Sequence, residues 1–206
     1  MAKNSYKRCL RITSFFCFLI MYGEAFSGQR RFQIEVIVFT HNQPTSEQFE
    51  ITKNLTKWPD GLVNLGGKTA ASLGFTTPMN HLRTLTDELK GLKQSGRFVP
   101  VIYEAWEQSV YSNTKGSPVH LFVGEVRGLS RRHRIDGYVQ LQRGHYLFMK
   151  VDMELLGQEL GVDDVSFPAV YRVNERRRIK LNEVHYFDHP KFGLLTQVIP
   201  LEGLID

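Results

Sequence analysis

The sequence predicts an α+β fold in which a mainly antiparallel sheet carries one principal amphipathic helix on a face. Two observations lead to this class. Most of the chain after residue 96 consists of β-branched or alternating segments separated by turn residues, which is typical of antiparallel strands. One segment, residues 78–96, places leucines at helical spacing. This order of elements is compatible with a ferredoxin-like core extended by a meander.

The N-terminal segment, residues 1–27, is predicted to be a secretory signal peptide. Four basic residues precede an apolar run over residues 12–21, and small residues follow it. The run has about half of the roughly 20 residues that a membrane-spanning helix needs, so we expect no stable transmembrane segment after signal removal. We expect cleavage before Gly28, with an uncleaved anchor as the alternative. A single domain is then predicted over residues 28–206.

The first element after the signal is a predicted strand. Residues 32–39 are rich in β-branched and aromatic residues and are apolar enough on both faces to favour a central position in the sheet. Residues 40–77 contain prolines, a Gly-Gly pair and many polar residues. They predict a mostly irregular connection with a short helix over residues 45–55. A connection of this length is often a binding or lid segment.

The principal helix is predicted over residues 78–96. Asn80 is its expected N-cap, and Gly96 is its expected end. Leucines three and four residues apart form one apolar stripe, which we expect to pack on the sheet. These are Leu82, Leu85, Leu89 and Leu92.

Six strands are predicted to follow the helix. They cover residues 97–106, 119–126, 135–141, 146–155, 169–181 and 193–199. Residues 146–155 alternate strictly between apolar and polar side chains, which predicts a strand with one buried face. A hairpin turn is expected just before it, at residues 143–145.

Charge and cysteine content exclude several classes of function. The whole chain carries +5, but the predicted signal holds four of the 26 basic residues and one of the 21 acids. The remainder therefore carries 22 − 20 = +2, which does not indicate nucleic-acid binding. Both cysteines, Cys9 and Cys17, lie in the signal, so the mature chain has no thiol nucleophile, disulfide or Cys-ligated zinc. No phosphate-binding glycine loop or nucleophile elbow occurs, so no motif argues for nucleophilic catalysis, and we expect no cofactor.

The densest polar cluster lies near the C-terminus. Glu183, His185, Asp188 and His189 all offer metal ligands, which allows the hypothesis of a metal-dependent hydrolase. The alternative is structural. In that interpretation Asp188 caps a turn through its own backbone, and the carboxylates pair with the neighbouring arginines.

Two further features allow both a binding and a structural interpretation. Trp106, at a strand end beside polar residues, either stacks on a sugar or anchors an interface, or it simply closes the sheet. Four arginines in a predicted loop either meet an acidic partner or a carboxylate-bearing glycan, or they are merely solvated. They are Arg127, Arg131, Arg132 and Arg134.

Several of these segments together resemble the CsiV family. They are residues 32–39 after the signal, residues 105–108 and, most specifically, the stretch Arg-Arg…Glu-x-His-Tyr-x-Asp-His-Pro-x-Phe-Gly within residues 176–193. The resemblance covers essentially the whole mature chain. It implies a periplasmic, non-enzymatic scaffold protein for cell wall biogenesis and cell shape. Such a protein binds peptidoglycan and an outer-membrane lipoprotein that activates a penicillin-binding synthase.

Peptidoglycan offers sugar faces to aromatic rings and carboxylates to arginine side chains. The residues expected to contact peptidoglycan or the protein partner are Trp106, Arg176, Arg177, His185, Tyr186 and His189. Two alternatives stay open. One is the metal-dependent hydrolase that uses His185, Asp188 and His189. The other is an adaptor that binds only protein and exposes an apolar patch on the sheet face opposite the helix.

Overall fold

A computed structural model of the chain describes residues 28–42, 55–124, 134–160 and 166–201. This part of the chain contains nine strands: β1 Arg30–His41, β2 Phe98–Val110, β3 Thr114–Lys115, β4 Val119–Val123, β5 Arg134–Arg143, β6 Leu147–Leu160, β7 Ser166–Ile179, β8 Val184–His189 and β9 Phe192–Leu201. It also contains helix α1 Lys68–Ser72, a 3-10 turn Asn80–Leu82 and helix α2 Thr86–Ser95.

The strands form two antiparallel sheets. The four-stranded sheet has the order β2-β1-β9-β8. In the five-stranded sheet, β5, β6 and β7 are neighbours, and the short strands β3 and β4 lie along the same edge of β5. β1 is central, as its apolar sequence predicts, and it pairs with β9 so that Ile34 lies opposite Val198. The last strand of the described chain therefore completes the sheet that the first strand begins.

The two sheets face each other across one apolar core. β1 contributes Phe32, Ile34, Val36 and Val38 to this core. The period of two predicted for residues 146–155 is confirmed. It directs Met149, Val151, Met153 and Leu155 of β6 into the same core. Complete burial of each such side chain contributes about 1.5–3 kcal/mol, so the interior between the sheets holds the fold together.

Helix α2 covers the outer face of the four-stranded sheet. Ile37 and Phe39 of β1 form a second buried cluster with Leu85, and Leu89 packs against this cluster. Gly96 ends the helix in the left-handed conformation with φ 65°, as the sequence predicts. This face is therefore closed by a helix, whereas the outer face of the five-stranded sheet carries none in the described ranges.

The start of α2 is held by a carboxylate from a distant strand. The side chain of Glu35 on β1 is fully buried and accepts hydrogen bonds from the backbone N–H of Thr84 at 2.6 Å and of Leu85 at 3.1 Å. The hydroxyl of Tyr103 donates to the same carboxylate at 3.2 Å. Burial, followed by the charge of Glu35, raises the pKa of Tyr103 to about 12. Glu35 thus anchors the two residues that lead into α2, which has no side-chain cap of its own.

The helix predicted over residues 78–96 is correspondingly too long at its N-terminal end. Asn80 lies in the 3-10 turn and is not the cap of α2. Leu82 is exposed, so the buried part of the predicted leucine stripe begins at Leu85.

The predicted α+β class, with one principal helix and a ferredoxin-like core, is wrong. The described chain is mostly antiparallel strand in two facing sheets, and its helical residues are divided between α1 and the ten-residue α2. One reason is that most of the polar cluster, residues 184–189, forms the edge strand β8. Its only fully buried side chain is Phe187, so the sequence carries little apolar signal there.

The remaining predictions fall into two groups. The six strands predicted after the helix are confirmed as β2, β4, β5, β6, β7 and β9. The predicted signal peptide, the short helix over residues 45–55 and most of the arginine loop lie outside the described residues. Neither helix of the described chain has the length and apolar composition needed to cross a membrane.

Candidate functional site

The outer face of the five-stranded sheet carries a continuous array of polar, charged and aromatic side chains. Because strand residues alternate between faces, the residues that point into the core are odd-numbered and those on the outside are even-numbered. We call the outside surface the polar face: the even-numbered residues within 136–142 of β5, 148–154 of β6 and 172–178 of β7. The register of the three strands places these residues in rows across the sheet.

One end of the polar face is built around two buried carboxylates. The guanidinium of Arg172 donates to both carboxylate oxygens of Asp152, from Nε at 2.9 Å and from Nη2 at 3.0 Å. Its Nε lies 4.0 Å from a carboxylate oxygen of Glu154. The side chains of Asp152 and Glu154 are only 9% and 2% exposed. The hydrogen bonds with Asp152 raise the pKa of Arg172, so the guanidinium holds both acids in place as their charge partner.

The segment at residues 55–58 lies over this end of the face. The backbone N–H of Thr56 donates to the two oxygens of Glu154 at 3.2 and 3.3 Å, and the Thr56 hydroxyl donates to it as well. The ring of Trp58 meets that of Tyr138 edge-on at 6.1 Å, with the guanidinium of Arg172 5.9 Å from the indole. Burial, followed by the charge of Asp152, raises the pKa of Tyr138. We call this end of the polar face, together with residues 55–58 that lie over it, the closed end.

The other end of the polar face is open and cationic. The guanidinium carbon of Arg176 lies 3.7 Å from the ring centroid of Phe148, and that of Arg178 lies 3.4 Å from the ring centroid of Tyr146. Both arginines are exposed. Tyr146 is 43% exposed and precedes β6 at the hairpin. We call the surface formed by these four residues and Lys150 the open end.

A relay of side-chain amides fixes Arg176 to the sheet. Its Nε donates to Oε1 of Gln142 at 2.8 Å. The amide of Gln142 donates to Gln140 at 3.0 Å, and Gln140 donates to the backbone carbonyl of Gly116 at 2.9 Å. Nε is the nitrogen of Arg176 that is engaged. Its two terminal NH₂ groups form no hydrogen bond with the described residues.

The arginines of β7 differ sharply in their charge partners. Arg172 pairs with Asp152, and Arg177 pairs with Glu175 at 2.6 Å. In the described chain, Arg176 and Arg178 form no ion pair. Two exposed guanidiniums therefore rest on aromatic rings without an internal carboxylate, which leaves their charge available to a ligand.

The residues expected from the sequence to bind a ligand are not brought together on one face. Trp106 is 2% exposed, lies in the core between the sheets, and donates from its indole N–H to Gln108 at 2.8 Å. No ligand can reach it in this fold. Arg177 points to the side opposite Arg176, where it donates to the carbonyl of Tyr186 at 2.7 Å and links β7 to β8. Of the two arginines expected to contact a ligand, Arg176 and Arg177, only Arg176 lies on the polar face.

The residues of β8 are likewise divided between two sides of the four-stranded sheet. Tyr186 lies on the outer side, where its ring stacks on Phe39 at 6.0 Å, and its hydroxyl donates to Asp188. Burial raises the pKa of Tyr186. His185 lies on the other side and accepts from the backbone N–H of Lys180 at 3.0 Å.

His189 shares the inner side with His185 and is half-buried. Its Nδ1 accepts from the backbone N–H of Lys191 at 3.1 Å, and burial lowers its pKa. Strand alternation places Asp188 on the side opposite both histidines, so the ligand set of the hydrolase hypothesis does not converge. No three His, Cys, Asp or Glu side chains of the described chain are grouped closely enough to hold a metal ion.

The comparison with known families decides the identity. A family model described as "Peptidoglycan-binding protein, CsiV" matches residues 9–201, which is nearly the whole chain. The chain belongs to the CsiV family. A search of curated proteins and of solved structures gave no match. The resemblance inferred from the closing motif is thereby confirmed.

Membership in CsiV places the chain in a family of peptidoglycan-binding proteins. The CsiV motif stretch within residues 176–193 spans both sheets. Arg176 lies on the polar face, and the later part forms β8 and the turn into β9. An exposed apolar patch opposite the helix was expected to favour the adaptor hypothesis. That side of the four-stranded sheet is the buried core.

Sequence reasoning missed most of the residues that form the polar face. Trp58 falls in a segment predicted as irregular, and no local signal indicates that it reaches the sheet. Phe148, Lys150 and Arg178 carried a usable signal. The strict alternation within residues 146–155 already separates an outward set from the buried one. The pairing of β6 with β7, which brings these outward residues to the arginines, is not readable from either strand alone.

Proposed function

We propose that this CsiV-family protein is a non-enzymatic periplasmic scaffold that binds peptidoglycan through the open end of the polar face. The observation that carries the proposal is the arrangement of Arg176 and Arg178. Each guanidinium is exposed, lies against an aromatic ring, and has no carboxylate partner in the described chain. Of the six residues expected from the sequence, the proposed surface retains Arg176.

The arrangement favours binding because the side chains are ordered in advance. An arginine loses rotamer entropy when a ligand fixes it, which weakens binding. At the open end this ordering is already supplied by the rings of Phe148 and Tyr146 and by the hydrogen bond from Arg176 to Gln142. The amides of Gln140 and Gln142 add neutral hydrogen-bonding groups of the kind that sugar hydroxyls and peptide groups use.

A sacculus-binding experiment tests the proposal. The purified protein is mixed with isolated peptidoglycan sacculi at low and at high salt, and the bound fraction is measured after sedimentation. We expect binding that is reduced at least about tenfold in Arg176→Ala/Arg178→Ala, because charge-assisted contacts are lost. Contacts with ordered geometry are screened by salt less completely than a diffuse charge effect, so part of the binding should persist at high salt.

A charge-matched control separates recognition from general attraction. Lys90 and Lys93 are exposed on α2, on the far side of the sandwich, so Lys90→Ala/Lys93→Ala removes the same charge from another surface. We expect this variant to bind sacculi like the wild type. Equal losses in both double variants, or no sedimentation of the wild type above an unrelated protein of equal charge, would refute the proposal.

The scaffolding part of the proposal concerns a protein partner. We propose that the partner is the outer-membrane lipoprotein activator of a penicillin-binding synthase, as the resemblance to CsiV implies. Met79 and Leu82 offer a second surface. Both side chains are exposed, and Gln33 on the outer side of the four-stranded sheet donates to the carbonyl of Leu82 at 2.9 Å. This surface lies across the sandwich from the polar face.

The two surfaces can be tested separately. The double variant Met79→Ser/Leu82→Ser should capture the purified lipoprotein more weakly than the wild type. The binding of this variant to sacculi should be unchanged. Because both side chains are exposed, the variant should retain its fold, which circular dichroism can verify. Failure of the wild-type protein to capture the lipoprotein would remove this partner. It would leave peptidoglycan binding unaffected.

A further inference from the structure

We infer that the open end recognises the carboxylates of the peptidoglycan peptide stems and not the faces of the sugar rings. This inference rests on the proposed binding of peptidoglycan at the polar face. It specifies which chemical part of that polymer is bound.

The first argument is that each of the two aromatic rings already has one face covered by an arginine. Sugar recognition by aromatic side chains requires a free ring face. One face of the Phe148 ring is occupied by Arg176 at 3.7 Å, and one face of the Tyr146 ring by Arg178 at 3.4 Å. What these pairs present outward is therefore the guanidinium. The natural ligand of an exposed guanidinium is a carboxylate or phosphate, which it binds through two parallel hydrogen bonds.

The second argument is the distribution of charge along the polar face. Its acids lie at the closed end and are engaged there: Asp152 by Arg172, Glu154 by Thr56 and Arg172, and Asp136 by His120 at 2.9 Å. The open end contributes no acid from the described chain. Charge complementarity at that end therefore favours an anionic ligand.

The third argument is the spacing of the two arginines along β7. Arg176 and Arg178 are two residues apart on one strand, so their Cα atoms are separated by about 7 Å. Peptide stems carry several free carboxylates, within the stem and at its end, and in an extended peptide groups two residues apart are separated by the same distance of about 7 Å. One stem can therefore engage both arginines. A glycan strand without stems keeps one lactyl carboxylate on every second sugar and has no pair of carboxylates along a peptide.

Isothermal titration of the whole protein with four soluble probes tests the inference. The probes are a disaccharide-peptide fragment, the same fragment with its stem carboxylates amidated, stem-free glycan strands, and an unrelated acidic peptide of equal charge. We expect the first probe to bind and the other three to bind at least about tenfold more weakly. Arg176→Lys/Arg178→Lys should bind the first probe more weakly than the wild type, because lysine keeps the charge and loses the two-pronged geometry.

The outcomes separate the inference from the proposed function. Equal affinity for stem-free strands and for the disaccharide-peptide would overturn the inference and leave peptidoglycan binding intact. Equal affinity for the amidated fragment, or for the unrelated peptide, would overturn it as well. Loss of binding to every probe and to intact sacculi would instead overturn the proposed function. Circular dichroism of each variant establishes that a lost affinity is not a lost fold.

Discussion

Replacing Arg172 by alanine should destabilise the protein more than any change at an exposed ion pair. The substitution leaves Asp152 and Glu154 without the guanidinium that lies 2.9 and 4.0 Å from them. The nearest remaining cation is Lys150, whose Nζ is 3.9 Å from Asp152. Because both carboxylates are almost fully buried, water cannot take over the lost interaction.

The expected loss can be worked out from the exposure of the partners. Breaking a buried ion pair by removing one partner costs about 3–5 kcal/mol. Arg172 itself is 33% exposed, and we therefore expect the lower end of that range, about 3 kcal/mol. For a domain of this size, 1 kcal/mol corresponds to a change in melting temperature of about 2–4 °C. Arg172→Ala should therefore melt roughly 10 °C below the wild type.

Urea unfolding followed by circular dichroism measures this loss, provided that the m-value is unchanged. The control is Lys180→Ala, since the Lys180–Glu183 pair is largely exposed and should contribute less than about 1 kcal/mol. Adding Asp152→Asn and Glu154→Gln to Arg172→Ala should recover part of the lost stability, because neutral amides do not need the cation. A single variant no weaker than Lys180→Ala, or a triple variant no better than the single, would refute the reasoning.

Three further predictions concern particular contacts. Folding raises the pKa of Tyr103 to about 12, so the unfolded state ionises first and stability falls as pH rises from 10 to 12. Tyr103→Phe should flatten this fall in urea unfolding, and an unaltered slope would contradict the assignment. Burial lowers the pKa of His189, so stability falls as pH drops below about 6.5. The loss from pH 7 to 5 should be smaller in His189→Asn, and an equal loss would exclude His189 as its source. Gly193→Ala would place a Cβ 2.7 Å from the Tyr186 ring and 2.8 Å from the Phe39 ring and should cost about 1–3 kcal/mol. The loss should shrink in a Tyr186→Ala background, and equal losses in both backgrounds would argue against this contact.

Strands were predictable where the local pattern of apolar and polar residues shows which side chains are buried. Residues 32–39 are mostly apolar because β1 is packed on both faces, by the core on one side and by the cluster of Ile37, Phe39 and Leu85 on the other. Residues 146–155 alternate because β6 has one buried face and one polar face. The start of α2 was not predictable, since the residues just before it are fixed by Glu35, which is about fifty residues earlier in the chain. The fold class failed for the same reason: strand pairing is decided by long-range contacts.

The candidate site was predictable only in part. Arg176 was singled out because it belongs to the motif. The motif did not reveal that Arg176 and Arg177 point to opposite sides of β7. Trp106 was chosen by residue type. The sequence of β2 around it does not show which face of the strand is buried, so its burial could not be predicted. The position of a tryptophan in a strand decides its role, and that position depends on which sheet lies opposite.

The division of β7 between two tasks explains why three adjacent arginines occur in one strand. A strand sends alternate side chains to opposite faces, so Arg176 and Arg178 reach the same surface and Arg177 cannot. Arg177 instead joins the sheets, because it pairs with Glu175 and donates to the carbonyl of Tyr186 on β8. A shift of β7 by one residue against β6 would exchange these roles and place an arginine pair against the core. The link made by Arg177 therefore helps to fix the register on which the proposed ligand surface depends.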